Sequence, residues 1–173
     1  MVALQEQSGA LVYLDFEDPE GPVPPPEANT WRGAKVIWER APFAKLNQQL
    51  AEYFAGHRLE FDLVLVPRGN DFHCSVWSQL QRIPFGVTIS YGELAQRIGR
   101  PGAARAVGKA NGSNPISIII PCHRVIGANG NLTGYSGGIE RKAALLAHER
   151  ALTPLGQGTL PLGIGVKGRG RKS

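Results

Sequence analysis

The chain has 173 residues, 42% of them hydrophobic and 19% charged, with a formal charge of +5 at pH 7. It is long enough to bury a real core as one medium domain or two small ones. No window approaches the roughly eighteen unbroken apolar residues of a membrane span, and the start lacks the basic stretch and apolar run of a secretory signal, so a cytoplasmic protein is expected.

Two cysteines, Cys74 and Cys122, make no disulfide framework. A reducing compartment suits a working thiol, and a single bridge between the two stays open. The charge is uneven. Residues 1–71 carry six Lys and Arg against eleven Asp and Glu, residues 72–150 carry nine against three, and residues 151–173 carry four against none. A basic middle and end point to an anionic partner such as nucleic acid, and ordinary solubilising charge would give the same total.

In chain order, residues 10–16 are β-rich, and residues 19–26 hold five prolines, so a strand runs into an extended loop. A second strand is expected at residues 34–38. Pro42 opens a helix with Phe43, Leu46, Leu50 and Tyr53 or Phe54 at helical spacing, and residues 61–65 form a third strand. This small α/β unit offers no residue with evident chemistry. A boundary falls at residues 66–70, where composition turns polar, giving expected units of 1–69, 70–150 and 151–173.

Asp71 is the expected N-cap of a helix with Phe72, Val76, Leu80 and Ile83 on one face; its Cys74 has no cation one turn away and reads as an inert thiol. Ser90-Tyr91-Gly92-Glu93 is a capping box opening a short helix. Gly99-Arg100-Pro101-Gly102 breaks it, and a small-sided, basic second helix follows with Arg105 and Lys109 one turn apart. The pair reads as a helix-turn-helix, with a plain αα-hairpin as the alternative.

Asn114-Pro115 then leads into a run of isoleucines that delivers Cys122, with His123 beside it, to a point where Pro121 ends regular sheet. A thiol is only a few per cent ionised near neutral pH, so reactivity needs a base or cation, and the adjacent imidazole is expected to make this sulfur anionic. Residues 133–138 are rich in glycine and read as a lid beside it. Residues 139–149 form a last amphipathic helix, with Ala144, Leu145 and His148 or else Leu146 and Glu149 as its inner face. Residues 151–173 read as a disordered basic tail. The scattered His and Cys show no paired metal-ligand spacing, so no metal site is expected. By itself Cys122-His123 fits a buried structural cysteine, a redox sensor, a hydrolase nucleophile, or a thiol that accepts a group and keeps it.

Ile120-Pro121-Cys122-His123-Arg124-Val125, preceded by Arg105-Ala106-Val107-Gly108 and Asn114-Pro115 and followed by Gly134-Tyr135-Ser136-Gly137-Gly138 and Leu145-Leu146-Ala147-His148-Glu149, resembles the O6-alkylguanine-DNA alkyltransferases over residues 70–150. The resemblance implies an α+β protein: a small N-terminal α/β (ribonuclease H-like) domain followed by a mainly helical, winged helix-turn-helix-like domain. It implies direct-reversal DNA repair, one irreversible alkyl transfer per molecule from O6-alkylguanine in duplex DNA to Cys122, without cofactor, with O4-alkylthymine left open as a second substrate. Tyr91 matches the proton donor to guanine, His123 the base, Glu149 its orienting carboxylate, and Asn114 a hinge. Arg105 matches the side chain that fills the stack after the nucleotide flips. Ala104, Tyr91, Lys109 and Arg124 join Arg105 on the implied DNA face, with the second helix in the minor groove. Val125, Tyr135, Ser136, Ser117 and Thr133 match the substrate pocket. Ser117 and Thr133 stand where some members have proline and glycine, which should disfavour bulky alkyl groups. A monomer is implied, with cooperativity on DNA open. The alternatives are a lesion-recognising relative without transfer, against which Cys122 argues, and a regulator that uses the alkylated cysteine as a signal, whose fused domain is missing. The reading requires the sulfur to face a cavity on the side of the Arg105 helix.

Overall fold

The computed structural model describes residues 1–6, 8–16 and 43–152. The strand expected at 34–38, the proline-rich loop, Pro42 and the basic tail lie outside them. The architecture is α+β. Strands β1 (Val2–Gln5) and β2 (Leu11–Asp15) form an antiparallel ribbon. Leu11, Val12, Tyr13 and Leu14 are all buried. Leu11 bridges Leu65 and Leu14 bridges Ile116, both in parallel sense. Residues 61–65 therefore supply a single bridge where the sequence predicts a full strand. The second bridge is what joins the N-terminal ribbon to the segment carrying Cys122: Leu14 N donates to Pro115 O at 2.9 Å and Ser117 N to Leu14 O at 2.7 Å.

Helix α1 (Ala44–Phe54) buries Leu46, Gln49, Leu50 and Tyr53 at helical spacing and leaves Phe54 exposed. Helix α2 (Asp71–Leu80) is capped by Asn70, whose side chain accepts from His73 N, so the cap lies one residue before the expected Asp71; Asp71 instead places its charge in the first turn, where the helix dipole favours it. Val76, Trp77 and Leu80 are buried, and Trp77 Nε1 donates to Ala110 O at 2.8 Å.

Strand β3 (Ile89–Ser90) pairs in parallel with β4 (Val125–Ile126). Helix α3 (Tyr91–Arg97) starts at Ser90, whose Oγ accepts from Glu93 N at 3.0 Å, while the Glu93 carboxylate pairs with Arg97 one turn on. Gly99 and Gly102, at φ 69 and 93, make the turn into α4 (Ala104–Gly112), a conformation that a side chain would strain. Helix α5 (Ile139–Leu152) closes the chain. Its buried stripe is Lys142, Leu145, Leu146 and Glu149, at i, i+3, i+4 and i+7, so two charged residues sit on the inner face. One hydrophobic core runs from Leu11 and Leu14 through Leu50, Val76 and Leu80 to Ile116, Ile120 and Leu145.

Candidate active site

The isoleucine run is not a strand. After the bridge at Ile116 the backbone coils: Ile120 N donates to Ile116 O, and Ile118 adopts φ 71. That left-handed conformation is rare for a β-branched residue and costs about 1–3 kcal/mol. The coil ends in a short 3-10 turn, Cys122–Arg124. Pro121 donates no backbone hydrogen bond, and Cys122 N closes back on Ile120 O at 2.8 Å, so the sulfur is presented from a tight loop.

Asn114 holds that loop together. Its Oδ1 accepts from Ile116 N at 3.1 Å, which fixes the amide, and Nδ2 lies 2.8 Å from Ile120 O, 3.3 Å from Ile116 O and 3.1 Å from Cys122 Sγ. Asn111, on α4, donates to Cys122 O at 3.3 Å. The cysteine thus sits against the helix that carries Arg105.

His123 is fully buried and its Nε2 lies 2.9 Å from Glu149 Oε1. Burial alone would push the Glu149 carboxyl up, but hydrogen bonds and charge from His123 and Arg124 outweigh it and hold it at about 2. An ionised carboxylate can only accept, so Nε2 carries the imidazole proton and Nδ1 presents a lone pair. Nδ1 is buried and has no hydrogen-bond partner among the described residues. Burial lowers the His123 pKa below its ordinary value despite Glu149, and the imidazole is neutral at pH 7.

The thiol is likewise neutral at rest. Burial pushes Cys122 up to about 11, opposed by the Asn114 hydrogen bond and the charge of Lys142. The expected imidazole-made thiolate is therefore not the resting state. At rest, then, the thiol of Cys122 and the imidazole of His123 are both neutral.

Lys142 is an unexpected member. Its side chain is buried, Nζ donates to Val125 O at 2.5 Å and Thr133 O at 2.9 Å, and it lies 5.8 Å from the Tyr91 ring centroid. Burial lowers its pKa to about 8, so at neutral pH it still supplies a cation beside the sulfur. Tyr91 is half-buried; burial raises its pKa, and its hydroxyl donates to Thr133 O at 2.9 Å. Its ring rests on α4 at Gly108, where an added Cβ would lie 3.7 Å away. Residues 133–138 are thus closed down over the site. Gly137 permits this approach, since a Cβ there would come within 2.8 Å of Tyr135 and 3.1 Å of Phe16.

Cys122, His123, Glu149, Asn114 and Tyr91 come together, with Val125 and Tyr135 buried beside them. Ser117 is buried and donates to Asp15 Oδ1 at 2.9 Å, and Ser136 and Thr133 are exposed. Arg105 and Lys109 project to solvent from α4, with Ala104 half-buried. Arg124 does not reach the DNA face. It is buried, donating to Glu149 through Nε and Nη2 and to Ile83 O through Nη1 at 2.6 Å, because an ionised carboxylate in the core needs a cation. The sulfur is also sealed: Cys122 is 2% exposed, and a cavity of about 440 Å³ is lined by residues that include Phe61, Leu65, Ile83, Ile118, Pro121 and Arg124 but not Cys122. Among the described residues the thiol is therefore not openly accessible, whereas the sequence reading requires it to face a cavity.

The N-terminal unit, expected to hold no chemical residue, contributes two. Tyr53 donates to Glu149 Oε1 at 2.9 Å and Asp15 accepts from Ser117. Both cysteines are free. Among the described residues no group of three or more His, Cys, Asp or Glu could hold a metal ion, and no helix is long and apolar enough to cross a membrane.

A thiol on a tight loop, an imidazole–carboxylate pair and two short helices that expose Arg105 and Lys109 fit a DNA-directed group acceptor, and comparison with known proteins agrees. The family model for the 6-O-methylguanine DNA methyltransferase DNA-binding domain matches residues 71–151. A methylated-DNA–protein-cysteine methyltransferase of Mycolicibacterium paratuberculosis is 56% identical over 127 residues, covering 72% of this chain and 77% of that protein. One of Methanosarcina acetivorans is 46% identical over 153 residues, covering 80% and 98%. The crystal structure of Mycobacterium tuberculosis OGT in complex with DNA superposes with a TM-score of 0.72 at 44% identity, covering 88% of this chain and 94% of that one. The chain belongs to the methylated-DNA–protein-cysteine methyltransferases, DNA repair enzymes that move an alkyl group from DNA to a cysteine of their own.

Proposed function

We propose that Cys122 is the acceptor and that its substrate is O6-alkylguanine, chiefly O6-methylguanine, in duplex DNA. The observation that carries this is the sulfur held by Asn114 Nδ2 at 3.1 Å next to a buried, neutral His123 whose Nδ1 lone pair is unpartnered. In one displacement the sulfur attacks the alkyl carbon as the C–O6 bond breaks. The thiol proton passes to His123 Nδ1, directly or through one water, and Glu149 stabilises the imidazolium that forms. The electron pair leaving with O6 is taken up by the guanine ring as Tyr91 gives it a proton, a role that requires the hydroxyl to leave Thr133 O. The product is a thioether, so each molecule acts once.

Residues 70–150 act as the DNA-binding and acceptor unit, residues 1–69 as the scaffold, and residues 151–173 add a basic extension. Arg105, with Lys109 and Ala104, lies along the minor groove as a monomer binds, and Arg105 fills the place of the extruded nucleotide. Val125, Tyr135, Ser136, Ser117 and Thr133 line the base and alkyl site once the 133–138 segment opens. Duplex DNA carrying a radiolabelled methyl on guanine O6 tests the assignment. Label should pass to the wild-type protein and not to Cys122→Ser, which still binds the duplex. Label transfer to Cys122→Ser, or tight binding by wild type without any transfer, would replace this reading with another acceptor or with a lesion-recognition protein.

A further inference from the structure

Glu149 receives more donors than the pairing with His123 requires. Tyr53, fully buried on α1, donates to Oε1 at 2.9 Å. The same oxygen receives His123 Nε2 at 2.9 Å and Arg124 Nη2 at 2.8 Å, while Oε2 takes Arg124 Nε at 2.9 Å and Gly86 N at 3.1 Å. A carboxylate oxygen has two in-plane lone pairs, and with Arg124 Nε also 3.2 Å from Oε1, four donor atoms there divide what two would take in full. The Tyr53 ring is fixed against Phe61, Phe85 and His148, with centroids 5.4, 6.0 and 5.1 Å away, and His148 Nε2 lies 2.9 Å from Tyr53 O. A phenyl ring would pack there equally well, so the hydroxyl needs a separate reason.

We propose that Tyr53 is a positioning residue for proton transfer: its hydroxyl shares Glu149 Oε1 with His123, from the opposite unit of the protein, and so limits how strongly the carboxylate draws on the imidazole. This rests on His123 acting as the base. During transfer the thiol proton arrives at Nδ1, the Nε2–H bond to Oε1 strengthens, and Tyr53 keeps its own proton throughout; burial beside Glu149 raises its pKa far above the working range. Among the described residues, titratable groups facing the cluster include Cys122 and Arg124 from the loop, Lys142 and His148 from α5, and Tyr135 from the segment before it. Arg124 and Lys142 both oppose a charge on His123 and remain in a Tyr53→Phe variant. A change on removing the hydroxyl therefore belongs to the hydroxyl.

Removing a neutral donor leaves more of Oε1 to His123, favours imidazolium and raises the pKa of the base. In single-turnover methyl transfer at saturating duplex, the acidic limb of the rate profile should move up by about half a pH unit or more in Tyr53→Phe, with the alkaline plateau within about threefold of wild type. Leu50→Ala, which loosens the same helix and leaves the hydroxyl in place, should lower the urea midpoint and leave the limb where it is. A Tyr53→Phe limb that coincides with wild type, or an equal shift in Leu50→Ala, overturns the proposal. If wild type transfers methyl normally and only the shift is missing, this inference fails alone; if wild type transfers none, the reading it rests on fails first.

Discussion

Protonating Glu149 should unfasten the interior from both sides. The carboxyl drops from an ordinary value of 4.5 to about 2 in the folded protein. A folded-state pKa below the unfolded one adds stability that is complete above pH 4.5 and disappears as pH falls through about 2. At about 1.4 kcal/mol per pH unit, this group contributes about 3 kcal/mol at pH 7, of which about 2 kcal/mol is gone by pH 3. In Glu149→Gln the buried Arg124 guanidinium keeps its bond to Ile83 O but loses its counter-charge, and removing one partner of a buried pair costs about 3–5 kcal/mol. Urea unfolding of wild type and variant at pH 7, 5, 4 and 3 reads the difference directly. The variant should be less stable by about 3–5 kcal/mol at pH 7, and the gap should shrink by about 2 kcal/mol at pH 3 as wild type loses its own charge. A gap that stays constant over this range would show that the folded carboxyl is not held low, and the argument for a neutral His123 with its proton on Nε2 would go with it.

Asn114→Ala strips the donor from Ile120 O, Ile116 O and Cys122 Sγ together, and should cost about 2–3 kcal/mol in urea unfolding and slow transfer more than it weakens DNA binding. Arg105→Ala should weaken binding to undamaged and methylated duplex by similar factors and flatten the salt dependence by about one charge, while slowing transfer further through poorer extrusion of the base; binding that keeps the wild-type salt slope would move α4 off the DNA. Without DNA, iodoacetamide at pH 7 should modify the partly exposed Cys74 before Cys122, which is 2% exposed and pushed up to about 11; peptide mapping after brief labelling checks the order. On matched oligonucleotides a methyl group should transfer much faster than a benzyl group, since Ser117 is buried and tied to Asp15 and the Thr133 carbonyl is gripped by Tyr91 and Lys142; equal rates would refute that.

The local signals in the sequence translate well into structure where neighbours along the chain decide the outcome. Ser90 caps α3, Gly99 and Gly102 turn the chain into α4, and Leu46, Leu50 and Tyr53 share a buried face. Where distant partners decide, the pattern misleads. The isoleucine run reads as strand from composition, but Ile116 and Ser117 pair with Leu14, a partner that no short window contains, and the chain coils beyond them with Ile118 at φ 71. Arg124 follows the cysteine in a basic region and invites assignment to DNA; only the fold reveals a carboxylate 25 residues away that must be neutralised. Tyr53 lies 96 residues from Glu149 and Asp15 102 from Ser117, so neither pairing leaves a trace in spacing. Lys142 escapes notice for a related reason. A charged residue within an apolar helical stripe breaks the amphipathic rule until its partners, the carbonyls of Val125 and Thr133, are known. Cys122 and His123 stand out by adjacency alone, whereas Glu149 enters as a candidate partner only through the resemblance; the resting charge of each follows from burial and hydrogen bonds.

The most direct measurement is peptide mass spectrometry after incubating the protein with a molar excess of duplex containing O6-methylguanine. The peptide spanning Cys122 should gain one methyl group and the Cys74 peptide none, with the modified fraction stopping at one methyl per chain however much substrate remains. An unmodified Cys122 peptide alongside consumed lesion, or consumption of many lesions per chain, would contradict transfer to this sulfur.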